Sequence, residues 1–418
     1  MHERRDVAVV TPWYPSRERP FRGAFVQAMV EATAPACAQL TVYHGEPWHL
    51  SGALADHESV RAAHVKLLPH ASQPLPTVGG AVLRCLPVLV DRVPKTSVLL
   101  WAGLARRHGD ALRAALGGQP FTEPVVHAHV GLRGGWAALQ SCGPATRLYV
   151  TEHASFVADV LAEPSARAMY DAVLHRCSRF FTVGEQIRRT LLDVFPHHTD
   201  KIDTIPNPIS FAAQRMQPVR TLRRWLYVGG LKESKGVGPL LEAFARCRAS
   251  DPNLRLTLAG DGALARPLRA RAGELGLSDA VRFAGAVPPD QALQLMREHD
   301  LLVHPSQGET FGMTVVEAIA AGLPVLATRT EGTRTVLTGI ENAAGVLIDT
   351  DADATSIADG YRKLCARFPH DLGLPHARLV LASRYDYQAV ARAHHHHWFP
   401  PDGPGHPPAP DRALGGVR

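Results

Sequence analysis

The feature that most constrains the fold is an alternation of short apolar runs with longer helical patterns along most of the 418 residues. Short apolar runs bounded by turn residues are typical of strands buried on both faces of a parallel sheet. Parallel strands need long crossover connections, so the segments between the runs predict helices. The predicted strands are residues 7–10, 41–43, 125–127, 148–151, 179–183, 225–228, 255–259, 281–283, 301–303, 325–327 and 345–348.

The alternation divides into two halves at residues 205–209, where the sequence IPNPI contains two prolines. Prolines disfavour the interior of a helix or strand, so this segment predicts a hinge. We therefore expect an α/β protein in which two doubly wound Rossmann-like domains, residues 1–206 and 207–385, face each other across a cleft. Ligands of such sheets bind outside the carboxyl ends of the strands, which places the active site in that cleft.

The C-terminal region carries two further predictions. Residues 386–398 predict a helix that returns to the first domain, and residues 399–418, rich in proline and glycine, are expected to be disordered. The four consecutive histidines at residues 394–397 cannot all share one face of a helix, because successive side chains point in different directions. We therefore do not interpret this run as a metal site.

Residues 304–326 (HPSQGETFGMTVVEAIAAGLPVL) place two carboxylates on either side of a loop-to-helix boundary. Glu309 lies in a glycine-bracketed loop, and Glu317 lies in a helix predicted at residues 314–321. A carboxylate among apolar residues needs hydrogen-bond partners, because a buried charge without them destabilises the fold. The pattern therefore indicates carboxylates that bind hydroxyl groups.

The start of this helix, at Gly312, Met313 and Thr314, adds a site suited to phosphate, because free N–H groups and the positive end of the helix dipole meet there. The whole segment resembles the signature of the retaining GT-B glycosyltransferases, most closely glycosyltransferase family 4 (glycosyl transferases group 1). The resemblance implies that Glu309 is a catalytic group that contacts the transferred sugar. It also implies that Glu317 binds the ribose of a nucleoside-diphosphate sugar.

A glycine-started loop, residues 229–236, follows the first strand of the second half. The resemblance assigns Gly229 to donor binding and Lys235 to catalysis, since a lysine can neutralise a diphosphate as a compact point charge. The family pattern usually has arginine after the first glycine, and Gly230 stands in that place here. Whether Lys232 substitutes for the arginine is left open by the sequence.

Two positions of the first half also align with the predicted cleft. Gly23 lies in the first strand-to-helix loop, where members of the family bring backbone N–H groups to the donor pyrophosphate. His153 follows the strand predicted at residues 148–151 and matches the family's strand-end histidine near the reacting sugar. An ordinary turn glycine and a structural histidine are the alternative interpretations of these two residues.

Composition narrows the class of partner. There are 45 Lys and Arg against 39 Asp and Glu, which gives a net charge of +6. No basic block with interleaved aromatics and no zinc-finger or RNP pattern is present, so nucleic acid is the weakest partner class. An anionic nucleotide sugar accounts for part of the positive excess.

The sequence predicts neither a transmembrane span nor a secretion signal. The longest apolar region, residues 81–104, is interrupted by charged residues, and the N-terminal MHERR leads into only a short apolar run. Six scattered cysteines without a Cys-x-x-Cys pair suit reduced thiols, so we expect a cytoplasmic protein. Residues 98–107 could instead rest on an anionic membrane, but a domain helix with a basic edge is favoured.

Residues 349–353 (DTDAD) contain the Asp-x-Asp spacing by which the other glycosyltransferase fold holds a divalent metal. They follow a predicted strand and precede a helical pattern, which favours capping of a helix over metal binding. We therefore predict neither a metal nor a cofactor.

The activity implied by the resemblance is metal-independent transfer of a hexose, with retention of configuration, from a nucleoside-diphosphate sugar to a hydroxyl. UDP is the commonest donor nucleotide in such enzymes. The acceptor is left open between a small molecule, such as an antibiotic or other specialised metabolite, a saccharide and a lipid. A GT-B nucleotide-sugar epimerase, a phosphorylase and a non-catalytic sugar-nucleotide-binding protein are the alternatives.

Overall fold

The computed structural model describes residues 5–16, 20–49, 73–90 and 100–400, which form two α/β domains. The described strands of the first domain are β1 (Asp6–Thr11), β2 (Gln39–His49), β3 (Leu75–Pro76), β4 (Val82–Val90), β5 (Val125–His129), β6 (Arg147–Glu152), β7 (Arg179–Thr182) and β8 (Ile202–Thr204). They form one sheet in the order β3-β4-β2-β1-β5-β6-β7-β8, in which the β3–β4 pair is antiparallel and the other pairs are parallel. The described helices of this domain are α1 (Ala24–Thr33), α2 (Leu100–Ala115), α3 (Trp136–Leu139), α4 (Val157–Ala162), α5 (Pro164–Arg176) and α6 (Glu185–Val194).

The second domain is built on a six-stranded parallel sheet. Its strands are β9 (Arg224–Val228), β10 (Arg255–Ala259), β11 (Val281–Gly285), β12 (Leu301–His304), β13 (Val325–Thr328) and β14 (Gly345–Ile348). The order is β11-β10-β9-β12-β13-β14. The remaining helices are α7 (Val237–Ser250), α8 (Ala265–Glu274), α9 (Pro289–Glu298), α10 (Met313–Ala320), α11 (Glu331–Leu337), α12 (Glu341–Ala344), α13 (Ala354–Arg367), α14 (Leu374–Tyr385) and α15 (Tyr387–Trp398).

The central strands are apolar because helices cover both faces of each sheet. Every residue of β1, β5 and β13 is buried. In β1, Val7 and Val9 belong to the core that α1 and α15 cover, whereas Ala8 and Val10 belong to the core that α2 covers. A shift of one residue would exchange these two faces, so the packing of both layers fixes the register of the strand.

The predicted α/β architecture of two parallel-sheet domains is confirmed. Each predicted strand overlaps an observed one, but β3, β4 and β8 were not predicted. Arg84 and Pro87 interrupt the apolar pattern of β4, and Asp203 does the same in the three-residue β8. These three strands lie toward the two edges of the first sheet, where polar residues and proline are tolerated.

Helix α15 follows the second domain in sequence and packs against the first. Trp398 at its end is fully buried, and the Tyr149 hydroxyl of β6 donates a hydrogen bond of 2.5 Å to the carbonyl oxygen of His397. The four histidines turn around the helix, so that His394 is buried in the first domain and His396 is exposed. The histidine run is therefore explained by the packing of one side of α15 against the first domain.

Helix α2 agrees with the favoured interpretation of residues 98–107 as a domain helix. Ala102 and Ala105 are fully buried in the first core. Residues 98 and 99 lie outside the described part of the chain, as do residues 401–418 of the tail that we predict to be disordered. None of the helices among the described residues has both the length and the apolar character needed to cross a bilayer.

The acidic segment before α13 acts as a helix cap at Asp353. Its Oδ1 accepts a hydrogen bond from the backbone N–H of Ser356 at 2.8 Å. The capping interpretation of this residue is confirmed.

Candidate active site

A cavity of about 280 Å³ lies between the carboxyl ends of the two sheets. The residues that line it are Phe25, His153, Val183, Asn207, Val228, Gly229, Gly230, Lys235, His304, Glu309, Thr310, Phe311, Gly312, Met313 and Thr314. Most of the predicted site residues are therefore brought together in one cavity. Gly23 and Glu317 are the two that do not line it.

Glu309 is the centre of a charged cluster on the second domain. Its Oε1 accepts hydrogen bonds from Lys235 Nζ and from His304 Nε2, the latter at 2.9 Å. Burial by itself raises the pKa of this carboxyl, but the His304 hydrogen bond and the Lys235 charge outweigh burial and lower the pKa to about 2. Glu309 is therefore ionised at neutral pH, and an ionised carboxylate can only accept hydrogen bonds.

A glycine brings Lys235 within reach of Glu309. Gly236 adopts φ 66°, and a Cβ at this position would lie 2.1 Å from the carbonyl oxygen of Pro305. Any other residue would push the turn that carries Lys235 away from the loop that carries Glu309. The ion pair therefore depends on a residue that takes no part in it.

Glu317 occupies a different environment from Glu309. It is half-buried on α10, no hydrogen bond to its carboxylate is present among the described residues, and burial raises its pKa to about 7. It lies one helical turn beyond Met313 and Thr314, which line the cavity. The two carboxyl groups thus have pKa values that their surroundings move in opposite directions.

Helix α10 begins at the cavity wall. Gly312 directly before it adopts φ 89°, a left-handed conformation that favours glycine. Met313 and Thr314 form the first turn. The first N–H groups of a helix have no partner within the helix, so this end of α10 offers a site for an anion beside Glu309 and Lys235.

The loop after β9 brings Lys232 next to the position where the family pattern has arginine. The Tyr227 hydroxyl donates a hydrogen bond of 2.8 Å to the carbonyl oxygen of Gly230, which fixes the loop backbone. A Cβ at Gly230 would lie 3.4 Å from the Cε of Lys232. This distance is an ordinary van der Waals contact, so the side chain of Lys232 lies beside the Gly230 position.

His153 carries the first-domain side of the cavity. It follows β6, its Nε2 lies 2.8 Å from Nδ1 of His129, and its ring centroid lies 4.4 Å from that of Phe25. Burial lowers the pKa of His153 to about 3. The imidazole is therefore neutral at neutral pH and can donate or accept a single hydrogen bond at each ring nitrogen.

The buried carboxylate of Glu152 holds the backbone around His153. It accepts hydrogen bonds from the N–H groups of Gly131, His153 and Ala154 at 2.7–2.8 Å. The Tyr170 hydroxyl donates a fourth at 2.9 Å. Burial raises the pKa of Glu152 in spite of these hydrogen bonds. Glu152 thus positions the strand end without lining the cavity.

Gly23 is explained by packing. A Cβ at this position would lie 2.3 Å from the backbone carbonyl of Trp13, so the glycine lets the loop after β1 pack against the start of α1. Phe25, two residues later, is the side chain of α1 that lines the cavity. The assignment of Gly23 to donor binding stays a prediction.

Phe25, Asn207 and His304 are among the eight cavity residues that were not predicted to belong to the site. His304 ends β12, so its place at the carboxyl end of a strand was a usable signal. Asn207 lies between the two hinge prolines, is buried, and has its Nδ2 3.6 Å from Sδ of Met313. The sequence around Asn207 indicated a hinge and gave no separate signal for a binding residue.

The two domains touch beside the cavity. A Cβ at Gly184, after β7, would lie 2.2 Å from the carbonyl oxygen of Thr310. Arg189 of α6 also forms an ion pair with Glu331 of α11. Both contacts join the first domain to the second.

Two family models match this chain over adjacent ranges. Glycosyltransferase Family 4 matches residues 99–212, and Glycosyl transferases group 1 matches residues 215–368. Together the two ranges cover most of the chain, which is therefore similar to the glycosyltransferases that these models describe. The boundary between the two ranges follows the hinge, and the second range contains Lys235, Glu309 and Glu317.

Several curated proteins are similar to this chain over part of their length. D-inositol 3-phosphate glycosyltransferase of Acidothermus cellulolyticus is 30% identical over 57% of this chain and 59% of its own. The protein of the same name from Segniliparus rotundus is 27% identical over 67% of each chain. Glycogen synthase of Mycobacterium tuberculosis is 28% identical over 64% of this chain and 67% of its own. The chain thus spans about three fifths of the length of the first of these relatives.

Solved structures share the fold over nearly the whole chain. Sucrose-phosphate synthase of Thermosynechococcus elongatus has a TM-score of 0.71 at 18% identity and covers 94% of this chain and 98% of its own. Anabaena HepE in complex with UDP has a TM-score of 0.66 at 17% identity and covers 94% of this chain and 99% of its own. These likenesses confirm the predicted GT-B fold.

Proposed function

We propose that this glycosyltransferase moves a hexose from a UDP-sugar to an acceptor hydroxyl, with retention of configuration and without a metal ion. The observation that carries the proposal is the contact of Lys235 and His304 with an ionised Glu309 beside the start of α10. One cavity therefore holds a cation, a hydroxyl-binding carboxylate and a helix N-terminus, which are the groups that a sugar diphosphate needs.

Donor binding follows from these positions. The diphosphate contacts Lys235, the first turn of α10 and the Gly229 loop. A lysine has three N–H donors, so Lys235 can hold a phosphate oxygen while it remains bonded to Glu309. Glu317, on the same helix, accepts hydrogen bonds from the ribose hydroxyls, and its burial favours this role once the ribose supplies donors.

The transfer step breaks the bond between the anomeric carbon and the diphosphate oxygen and forms a bond to the acceptor oxygen on the same face. The proton of the acceptor hydroxyl passes to the departing diphosphate. Lys235 and the N–H groups of α10 stabilise the charge that develops on that diphosphate. Because the Oε1 of Glu309 already accepts two hydrogen bonds, Glu309 positions the sugar hydroxyls and does not attack the anomeric carbon.

His153 approaches the reacting sugar from the first domain. Its neutral imidazole hydrogen-bonds a sugar hydroxyl, and Phe25 beside it supplies an apolar surface. We place the reaction in the cytoplasm, in agreement with six cysteines that form no disulfide. The names of the relatives support a hydroxyl of a small cyclic polyol or of a saccharide as the acceptor.

The test is a panel of UDP-hexoses with polyol and saccharide acceptors in the presence of a chelator. Acceptor-dependent release of UDP is expected, and the anomeric coupling constant of the product should show the configuration of the donor. An inverted product would contradict the retaining step. Isomerised donor without acceptor would indicate an epimerase, phosphate-dependent turnover a phosphorylase, and donor binding without turnover a non-catalytic protein.

A further inference from the structure

The turn of residues 131–135 lies on the carboxyl edge of the first sheet, between β5 and α3. A Cβ at Gly134 would lie 2.1 Å from the carbonyl oxygen of His129 and 3.0 Å from that of Val10. The turn therefore sits directly on the ends of β1 and β5. The neighbouring strand on this edge, β6, presents His153 to the interdomain cavity.

Arg133 in this turn is buried and has no partner. Its exposed fraction is 9%, and its Nε and Nη2 atoms are shielded from solvent without a hydrogen-bond acceptor. Among the described residues, none forms an ion pair with it. A buried charge that lacks acceptors destabilises a fold, so the arrangement calls for acceptors that the described chain does not supply.

Arg133 lies near a second arginine and two neutral histidines. Burial lowers the pKa of Arg133 to about 10, with a smaller contribution from the charge of Arg22, so the guanidinium stays charged at neutral pH. Burial also lowers the pKa of His44 to about 4 and that of His108 to about 3, and Arg133 contributes to both shifts. Both imidazoles are therefore neutral. The buried carboxylate of Glu152 accepts a hydrogen bond from the nearby Gly131 N–H and makes no ion pair with Arg133.

We propose that Arg133 is the centre of an oxyanion subsite that binds a phosphate or carboxylate group of the acceptor. Nε and Nη2 form one edge of the planar guanidinium, and this edge can donate in parallel to two oxygens of one oxyanion. The inference rests on the proposed function, because it assigns the oxyanion to the acceptor. The donor diphosphate has its own cation and helix end at Lys235 and α10, on the other domain.

Calorimetry of the full chain with inorganic phosphate, without nucleotide, tests the subsite. The parent should bind phosphate, Arg133→Gln should bind it roughly tenfold more weakly, and Arg133→Lys should lie between them. Arg176→Gln is the matched control, because Arg176 is a half-buried arginine of the same domain whose Nη2 already donates to the carbonyl oxygens of Gly143 and Thr146. Acetate in place of phosphate shows whether the subsite prefers a carboxylate.

Binding of UDP to the same variants separates the acceptor from the donor. UDP affinity should be equal in the parent, Arg133→Gln and Arg176→Gln. Unchanged phosphate binding in Arg133→Gln would overturn the inference, and so would a UDP affinity that falls by the same factor as the phosphate affinity. Absence of UDP binding by the parent would instead contradict the proposed function and leave the phosphate result to stand.

Thermal unfolding shows whether Arg133 serves the fold instead. Because no described residue pairs with the side chain, Arg133→Gln should keep the parent Tm in phosphate-free buffer, and phosphate should raise the Tm of the parent alone. A Tm that falls strongly in phosphate-free buffer would show that Arg133 is a structural residue and would overturn the subsite.

Discussion

The two faces of the cleft differ in how their charges are balanced. On the second domain, Lys235 and Glu309 neutralise each other before any ligand enters. On the first domain, His153 lines the cavity and is neutral, and Arg133, which does not line the cavity, is buried with no ion-pair partner among the described residues. The charged cluster of the second domain is therefore paired in the free protein, whereas the first domain holds a buried cation that no described residue pairs.

This difference in charge pairing predicts which domain face can tolerate sequence variation between enzymes. A nucleoside diphosphate brings the same ribose and phosphates to every such enzyme, so a pre-paired cluster can serve it with little rearrangement. An acceptor varies between enzymes, so the acceptor subsite that we propose depends on an individual residue, Arg133. Substitutions on the second-domain face should therefore affect donor chemistry, and those on the first should affect acceptor choice.

Among the variants that test the difference between the two domains, Lys235→Ala should have the largest effect on kcat/KM. The change removes the cation that pairs with Glu309 and that, in the proposed mechanism, also balances the departing diphosphate. We expect a loss of about 2–4 kcal/mol of transition-state stabilisation, which is about a 30- to 1000-fold lower kcat/KM. Steady-state kinetics with a saturating acceptor measures it.

Lys232→Ala is the matched control, because Lys232 is an exposed lysine of the same loop. It should lower kcat/KM by less than about threefold, a difference below 1 kcal/mol. The opposite ranking, with Lys232→Ala as the more damaging change, would move the diphosphate cation to Lys232.

Glu317→Gln should change how stability depends on pH. The pKa of this carboxyl is about 7 in the folded chain against 4.5 as the ordinary value. Its contribution to stability is therefore fully present below the unfolded pKa and is lost as the pH rises through the folded pKa. The shift corresponds to at most about 3 kcal/mol, so Glu317→Gln should be more stable than the parent by up to that amount near pH 8. The two should be equally stable near pH 4.

Chemical denaturation across this pH range measures the difference. Asp193→Asn, at an exposed position of α6, should follow the parent curve at every pH. UDP should stabilise the parent more near pH 8 than near pH 5, because the ribose-binding form of Glu317 is the ionised one. Parallel pH curves for the parent and Glu317→Gln would show that the carboxyl is better solvated than its burial indicates.

The fold was predictable because strands that are buried on both faces of a parallel sheet form short apolar runs in the sequence. The exceptions have a common cause. Strand β4 contains Arg84 and Pro87, and it lies one strand from the edge of the sheet, where solvent and an antiparallel neighbour relax the demand for apolar residues. An apolar sequence pattern identifies strands that are buried on both faces, but it misses strands that are only partly buried.

The candidate site was predictable on the second domain and largely hidden on the first. Glu309 and Glu317 lie within one short segment with its own glycines, so their spacing is visible in the sequence. Arg133 becomes notable only through packing, because the sequence GLRGG around it does not show that the arginine is buried without a partner. Asn207 is hidden in the same way, since its place in the cavity depends on how two domains meet.

A smaller effect is expected where the two faces touch. Gly184→Ala would place a Cβ 2.2 Å from the Thr310 carbonyl oxygen, and since Gly184 has an extended backbone, the cost comes from this contact alone. The domains must separate slightly, which should lower kcat/KM roughly tenfold, or by about 1–2 kcal/mol, mainly through a higher donor KM. Gly238→Ala in α7 is the control, because no atom lies within 4 Å of its Cβ. Equal kinetics for both variants would show that closure does not depend on this contact.

Removal of divalent metal ions and substitution of the Asp-x-Asp segment at residues 349–353 should have the smallest effects on transfer. On the second-domain face, Lys235 and the start of α10 supply the positive charge that a divalent ion would otherwise bring, so a chelator should leave transfer unchanged.

Asp353→Asn with Asp351→Asn weakens the cap in which Asp353 accepts from the Ser356 N–H, and this should lower the Tm by only about 2 °C. Transfer by this double variant, measured with and without chelator, should equal that of the parent. Loss of parental activity in the chelator, its recovery with added manganese, and no activity in the variant would place a metal at residues 349–353. The second domain would then depend on a metal ion as well as on Lys235. The contrast between its paired charges and the unpaired Arg133 of the first domain would no longer hold.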